Sequence, residues 1–565
     1  VARGLRRKLT SYGDQEFSLY LRKAFIKAMG FSDDALDRPI VGITNTFSDY
    51  NPCHGNVPQL VDATKRGVML AGALPMVFPT ISIHESFASP TSMYLRNLMA
   101  METEEMIRSQ PMDAVVLIGG CDKTLPAQLM AAASGDIPAI FLPTGPMGVG
   151  HHKGERLGAC TDCRRFWSAY RAGEIDDQEI GEVNNKLVSS VGTCTVMGTA
   201  STMANLVETM GLCLPMAGSA PATDAERMRL AEETGRAAAK LAADTNAPTL
   251  RDIVTPDAIR NALVALQAMG GSTNAVVHLA ALCGRLGFRL DLELLDQLGR
   301  EVPLLVDLKP SGEHYMPQFH QAGGVPRLLR EVQAHLATSA KTVVGNTIAD
   351  VIDGARDEPT QTVIRPLDAP LKPVGTLAVL HGNLAPRGAV IKQTAASEKL
   401  MRHSGRAVVF ESVEDLGKRL DSDDLDVTAD DVLVMRNAGP IGAPGMPEAG
   451  LLPIPRKLAR QGVKDMVRLS DARMSGTAFG TVVLHITPES AAGGPLAVVQ
   501  NGDMITIDVP ARSLTLDVPA EEIARRLAAL PPAPETAARG YEKLYAEHVL
   551  QADEGVDFDF LRAPS

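Results

Sequence analysis

The stretch LIGGCDKTLPAQLM (118–131) ends an apolar run in two glycines and then sets Cys121, Asp122 and Lys123 side by side. A thiolate is a soft metal ligand and a carboxylate a hard one. An amine beside a bound cation is repelled unless its charge is removed, for example by carbamylation. Three other stretches have the same mixed character. SDYNPCHGN carries Cys53, IHESFASPTS carries Glu85, and SVGTCTVMGTASTMANL holds Cys194 among small residues at what reads as a helix start. Cysteine is usually a small buried hydrophobe. That reading suits Cys213 and Cys283, which lie in apolar helical runs. It suits Cys53, Cys121 and Cys194 poorly, because glycine- and proline-flanked loops are not cores. Three thiolates from three loops could hold a zinc ion or an iron–sulfur cluster with one coordination position left open. Glu85 and Asp122 are the kind of oxygen ligands that a hard divalent cation such as Mg²⁺ takes. Cys160 and Cys163 form a lone CxxC with no second pair, which reads as a structural loop. Glu448 is the single acid of a Gly/Pro-rich loop, and Ser475 stands in a glycine turn with no histidine nearby in sequence.

These residues must be held by something. Apolar strand candidates at 39–48, 74–83, 113–120 and 138–145 alternate with helical stretches at 57–72 and 92–110. Near-continuous apolar strands separated by helices imply a parallel sheet covered on both faces. In such sheets ligands bind beyond the carboxyl ends of the strands, where Cys53, Glu85 and Cys121–Lys123 fall. Further helices are expected at 224–243, 255–268 and 274–286, with Thr223 or Asp224 and Thr255 as N-caps and Pro256 in a first turn. Four prolines between 355 and 375 mark a linker or an extended crossing segment. Beyond it come short strands with turn signals (GAVIK, GRAVVFES, DVLVMRN, GTVVLHITP, LAVVQNGDMITIDVP, SLTLDVP), then a closing helix at 520–530. The fold class is α/β: an N-terminal parallel-sheet domain over 1–365 and a smaller, β-barrel-like domain over 375–565.

The chain has 565 residues and a formal net charge of -12, which argues against nucleic acid or an anionic membrane as partner. An anionic small molecule would need a local cation. No apolar stretch reaches the length of a membrane span, and the N-terminal residues lack the apolar core of a signal peptide. Seven cysteines in so long a chain are not a disulfide framework, so the expected compartment is the reducing cytoplasm. No GxGxxG lies between a strand and a helix, which weakens a nicotinamide-dependent oxidoreductase. An electron-transfer iron–sulfur protein is a different class again, and the carboxylates beside scattered cysteines speak against it.

Taken together, NPCHGN, GGCDKTLPA, GTCTVMGTASTMAN, AMGGSTNAVVHL, NLAPRGAVIK and SDARMSGTAFG resemble the dihydroxy-acid and sugar-acid dehydratases, in the right order from about residue 35 to beyond 490. HESFASPTS and GTCTVMGTASTM are most similar to the pentonate branch, which acts on L-arabinonate and D-xylonate. The resemblance implies a two-domain enzyme whose β-barrel-like domain closes over the cluster-binding domain, as a homodimer or homotetramer. It implies an iron–sulfur cluster on Cys53, Cys121 and Cys194, [2Fe–2S] by the pentonate branch with [4Fe–4S] as the alternative. It implies Mg²⁺ on Glu85, Asp122, Glu448 and Lys123, the last as a carbamate, and Ser475 as an alkoxide base. Ser272, Thr273 and Asn274 of GGSTNA, at an expected helix start, are carried over as substrate-carboxylate contacts. The implied reaction is β-elimination of water from a sugar acid to a 2-keto-3-deoxy acid, and the alternative is the dihydroxy-acid dehydratase of branched-chain amino-acid synthesis. Iron and acid-labile sulfide should therefore co-purify under anaerobic conditions with a visible absorption band. Cys53→Ser, Cys121→Ser or Cys194→Ser should bleach it, whereas Cys160→Ser and Cys163→Ser should not, and a colourless but fully active protein would refute the cluster.

Overall fold

The computed structural model describes residues 3–9, 12–531 and 537–564. Four strands, β1 (Ile40–Asn45), β2 (Leu74–Pro79), β3 (Ala114–Gly119) and β4 (Ala139–Pro143), form a parallel sheet in the order β2-β1-β3-β4. The register pairs Ile43 with Val77 on one side and with Val116 on the other. β3 is buried along its whole length, as its unbroken Ala-Val-Val-Leu-Ile run requires. Helices Val57–Leu70 and Ala225–Ala243 pack on each other and on the sheet. They approach closely because Gly67 and Gly235 meet the partner backbone, and a Cβ at either would collide with a carbonyl oxygen, of Glu232 or Thr64. Helices Arg96–Ser109 and Thr124–Gly135 form another packed pair. A small hairpin, β5 (Gly150–His152) with β6 (Glu155–Leu157), precedes the helix Thr161–Ala172.

Local chemistry explains the boundaries. Thr255 caps the helix Pro256–Ala268 by accepting from the Ala258 N–H, and Pro256 occupies its first position, where no N–H is needed. The helix expected at 92–110 begins as a 3₁₀ turn over Ser92–Leu95 and becomes α-helical only at Arg96. Cys194 does not start a helix as expected. It lies in a loop that bridges Thr193 to Pro146, and the helix begins at Thr199.

The proline-rich segment runs extended beside residues 304–306, with Ile364 bridging Val306 and Lys372 bridging Leu304. The second unit is a closed barrel of eight strands: β7 (Leu377–Gly382), β8 (Ala385–Lys392), β9 (Arg402–Phe410), β10 (Val432–Met435), β11 (Arg468–Ser470), β12 (Val482–Leu484), β13 (Met504–Asp508) and β14 (Ser513–Leu516). Their order is β10-β11-β12-β8-β7-β14-β13-β9, closed by β9 on β10. Closure leaves no strand edge free. The individual strand expectations had omitted β7 and β11. β7 is split from β8 by a short Gly382 turn, and β11 is too brief to show a pattern.

After the barrel the chain returns to the first unit. Arg285, fully buried in the helix Asn274–Leu286, makes a two-pronged ion pair with Asp557 at 2.6 and 3.0 Å. Arg96, also buried, donates to the carbonyls of Gly555 and Val556 at 2.8 and 3.0 Å. Breaking a buried pair from one side leaves a charge without a partner, at a cost of about 3–5 kcal/mol. An exposed pair such as Lys27 with Asp33 is worth about 0–1 kcal/mol. Asp557→Asn should therefore lower the chemical-denaturation midpoint far more than Lys27→Ala. Equal shifts would show that the returning segment is not held by the Arg285 pair.

Candidate active site

The loops that follow β1, β2 and β3 converge on one cavity of about 510 Å³ that also receives two loops of the barrel unit. Cys53 enters on a single 3₁₀ turn, Pro52–His54, and its carbonyl accepts from Thr144 Oγ1 at 2.8 Å. The neighbouring His54 is completely buried. Its Nε2 accepts from the backbone N–H groups of Gly120 and Cys121 at 3.0 and 3.1 Å. Because Nε2 is the acceptor, the ring proton is on Nδ1, which donates to the Thr46 carbonyl at 2.8 Å. Burial pushes the imidazole pKa down to about 4, so His54 stays neutral and ties the Cys53 loop to the Cys121 loop.

Two chemically distinct donor groups face the cavity. The thiols of Cys53 and Cys121 and a ring nitrogen of His84 lie within 4.8 Å of one another. Contact with Cys121, and then burial, raises the Cys53 thiol well above its ordinary pKa. Contact with Cys160 and burial do the same to Cys194. Two adjacent thiols resist joint ionisation unless a cation accompanies them, which is the chemistry of a thiolate metal site. Cys194 and Cys160 approach to 3.6 Å between sulfurs. The fold thus places the CxxC residues on the cavity wall and not in a separate structural loop, because Cys160, Cys163, Arg164 and Trp167, at the start of the helix Thr161–Ala172, all line it.

The second group is made of oxygens. Carboxylates of Glu85, Asp122 and Glu448 lie within 4.8 Å of one another, the last brought from the barrel unit. Lys123, with no exposed surface, places its ammonium in contact with Asp122, 3.4 Å from Glu85 and 3.8 Å from Glu448. Burial and Arg473 push the Lys123 pKa down, but the three carboxylates outweigh them and raise it. Burial works against ionising Glu85, yet Lys123, Arg473 and the hydroxyls of Ser92 and Thr91 hold it well below the usual carboxylate range. Glu448 goes the other way, its pKa raised because burial exceeds the attraction of Arg473 and Lys123. Three carboxylates in so small a volume call for a cation at their centre, and their hard oxygens suit a divalent one.

Ser475 lies in the turn after Arg473 and lines the cavity. Its Oγ is 2.8 Å from Thr477 Oγ1 and accepts from the Thr477 N–H at 3.4 Å. Gly476 lets this turn press on the first unit, since a Cβ there would crowd Ser272 Oγ and Thr199 N. Ser272, Thr273 and Asn274 do not line the cavity and are buried behind it. Ser272 Oγ and Asn274 Nδ2 bond Thr199 Oγ1 at 2.8 and 3.1 Å, and Thr199 with Ala200 forms the wall. Asn274 Nδ2 also reaches Glu448 at 3.5 Å. These residues shape the wall from the rear.

Arg473 escaped the sequence reading although it stands inside the SDARMSG motif. It is 1% exposed and joins Glu448 at 2.5 Å, Glu85 at 3.3 Å and Thr91 Oγ1 at 2.8 Å. His54 escaped too, and its signal was its place beside Cys53 in NPCHGN. His84 precedes Glu85 directly, and a histidine at that place could have been weighed with the cysteines.

Comparison with known proteins agrees with this geometry. The dihydroxy-acid/6-phosphogluconate dehydratase N-terminal domain matches residues 38–351, and the corresponding C-terminal domain matches residues 362–556. The chain is 45% identical over 562 residues to L-arabinonate dehydratase of Rhizobium leguminosarum bv. trifolii, covering 98% of this chain and 96% of that one. It is 44% identical over 536 residues to 6-deoxy-6-sulfo-D-gluconate dehydratase of Pseudomonas putida (94% and 92%). It is 39% identical over 546 residues to dihydroxy-acid dehydratase of Moorella thermoacetica (94% and 97%). Fold, site and both domain matches lead to one conclusion: the chain belongs to the dihydroxy-acid/6-phosphogluconate dehydratase family and is a hydro-lyase.

Proposed function

We propose that this enzyme dehydrates an aldonate, a pentonate such as L-arabinonate or D-xylonate, to the 2-keto-3-deoxy acid. The observation that carries the reading is the meeting of Glu85, Asp122 and Glu448 within 4.8 Å, in a cavity that also holds the thiols and Ser475. Glu85, Asp122, Glu448 and Lys123 as a carbamate would hold Mg²⁺, and Cys53, Cys121 and Cys194 would hold a [2Fe–2S] cluster. When bound, these centres supply Lewis acidity at the substrate carboxylate and C2 hydroxyl and at the departing C3 hydroxyl.

The rest is the work of this chain's own groups. Carbamylation would turn Lys123 from a counter-ion into an oxygen donor, and its burial would shield the carbamate from water. Arg473 bridges Glu85 and Glu448 and keeps both oriented towards the cavity. Ser475 takes the proton from C2, so its Oγ must be an anion as the proton moves. Thr477 supports that anion with its hydroxyl at 2.8 Å and its backbone N–H at 3.4 Å. Loss of the C2 proton and the C3 hydroxide gives water and an enol, and the enol becomes the 2-keto acid by taking a proton at C3.

A panel of pentonates, hexonates and 2,3-dihydroxyisovalerate, assayed for 2-keto acid formation, tests the substrate class. Turnover confined to 2,3-dihydroxyisovalerate would overturn it in favour of the branched-chain enzyme's reaction. Ser475→Ala should keep iron content, absorption and stability while losing turnover at or beyond the upper end of the ~10²–10⁴-fold typical of a lost general base. The loss should fall on kcat more than KM, with no exchange of the C2 hydrogen with solvent. Activity within a few-fold of wild type would leave Ser475 as a turn residue. Asp122→Asn and Glu448→Gln should abolish activity dependent on Mg²⁺ or Mn²⁺. Undiminished turnover of the wild-type enzyme in metal-free buffer would exclude the divalent site.

A further inference from the structure

Cys160 lies outside the three-cysteine set, yet the fold does not treat it as an outsider. Five cysteines line the cavity, and four of their thiols form two pairs. Cys53 and Cys121 form one, within 4.8 Å. Cys160 and Cys194 form the other, at 3.6 Å. A tetrahedral thiolate centre with metal–sulfur bonds of about 2.3 Å spaces its sulfurs about 3.8 Å apart. The second pair therefore already has the bite of a chelate. A [2Fe–2S] cluster held by four protein thiolates needs two such pairs, one for each iron.

Neither a packing role nor a disulfide accounts for the position of Cys160. A thiol serving only as core would be enclosed by apolar side chains, whereas Cys160 and Cys194 are both partly exposed and line the cavity. A disulfide would bring the sulfurs to about 2.05 Å, and both are free here. Cys163 is not an equivalent candidate. Its thiol is turned to the Cys160 carbonyl, which accepts from it at 2.6 Å. Cys160 is also held in place from behind. The Arg164 N–H bonds the Cys160 carbonyl at 3.4 Å, and Thr161 Oγ1 donates to the Thr477 carbonyl at 2.9 Å. The Cys160 loop is thus tied to the turn that carries Ser475.

We propose that Cys160 is a fourth thiolate of the cluster site and, in the substrate-free enzyme, occupies the coordination position that the substrate's C3 hydroxyl takes during turnover. The proposal rests on the dehydratase reading above. The exchange breaks one metal–sulfur bond and forms one metal–oxygen bond, with no change of oxidation state. The displaced thiolate stays at the N-terminus of the helix Thr161–Ala172, where helix N–H groups and Arg164 favour an anion. Such a ligand would cover the exposed iron between turnovers and would link substrate entry to the Ser475 turn through Thr161.

The test uses full-length protein reconstituted anaerobically with ⁵⁷Fe and sulfide, without substrate, and read by Mössbauer and visible circular dichroism. Cys160→Ser and Cys160→Ala should keep the wild-type iron content, but one iron site should shift from sulfur towards oxygen ligation and the visible bands should move. Cys163→Ser should match wild type. Adding a pentonate to the Ser475→Ala enzyme, in which blocked turnover leaves the C3 hydroxyl in place, should move the spectrum in the same direction as the Cys160 variants. Superimposable spectra for wild type and both Cys160 variants would overturn the proposal and leave the three-cysteine cluster standing. A shift in Cys163→Ser alone would overturn it too. Wild type that takes up no iron and sulfide would remove the cluster reading itself, and this proposal with it.

Discussion

Three like charges confined to one small volume govern this structure. Glu85, Asp122 and Glu448 come from three loops of two units and meet within 4.8 Å. At an effective dielectric of about 20, each pair of charges at that separation repels by roughly 3–4 kcal/mol. Two buried cations offset the repulsion. Lys123 is adjacent in sequence to one of the acids, and Arg473 spans the other two. Because Arg473 lies two residues before Ser475, the charge balance of the carboxylates also fixes where the proposed base stands. Asp471 reinforces this by accepting from the Ala438 and Ser490 N–H groups at 2.9 and 2.8 Å, which anchors the start of the same motif.

The loop that delivers Glu448 has little regular structure and is held by side chains from elsewhere. Glu489 accepts from the N–H groups of Ile441 and Gly442 at 2.9 Å each. The Gly445 N–H donates to Tyr545 in the returning C-terminal segment at 2.9 Å. Gly445 lies so close to Thr91 and Tyr94 that a side chain there would collide with them. Thr91 and Ser92 in turn hydrogen-bond Glu85. The C-terminal segment therefore reaches the clustered acids through a continuous set of contacts, although none of its described side chains lines the cavity. Its anchoring by Asp557 to Arg285 connects global stability to the geometry of the site.

Much of this was legible in the sequence because the informative signals are local. Apolar strands ending in polar, glycine-rich loops placed Cys53, Glu85 and Cys121–Lys123 at one edge of a parallel sheet, and that is where they lie. The barrel was legible as a series of short strands, but β7 and β11 were missed. What the sequence hid was contact between distant segments. Nothing local marks Arg473 as the bridge between Glu85 and Glu448, 388 and 25 residues away. Cys160 looked like half of an isolated CxxC because its partner, Cys194, is 34 residues further on. Ser272–Asn274 read as a helix-start anion site, yet the helix Thr199–Thr209 packs over them and leaves Thr199 at the surface of the cavity.

Soft and hard donors meet in one cavity, and the proposed function gives them two different metal centres, with Lys123 changed from cation to oxygen ligand. Crystals grown anaerobically with Mg²⁺ and bicarbonate, measured at the iron absorption edge, test it most directly. An anomalous iron peak is expected among Cys53, Cys121 and Cys194, with a separate light cation among Glu85, Asp122 and Glu448 and added density on Lys123 Nζ. A zinc peak at the thiols, or an unmodified Lys123 ammonium still paired with the three carboxylates under those conditions, would contradict it.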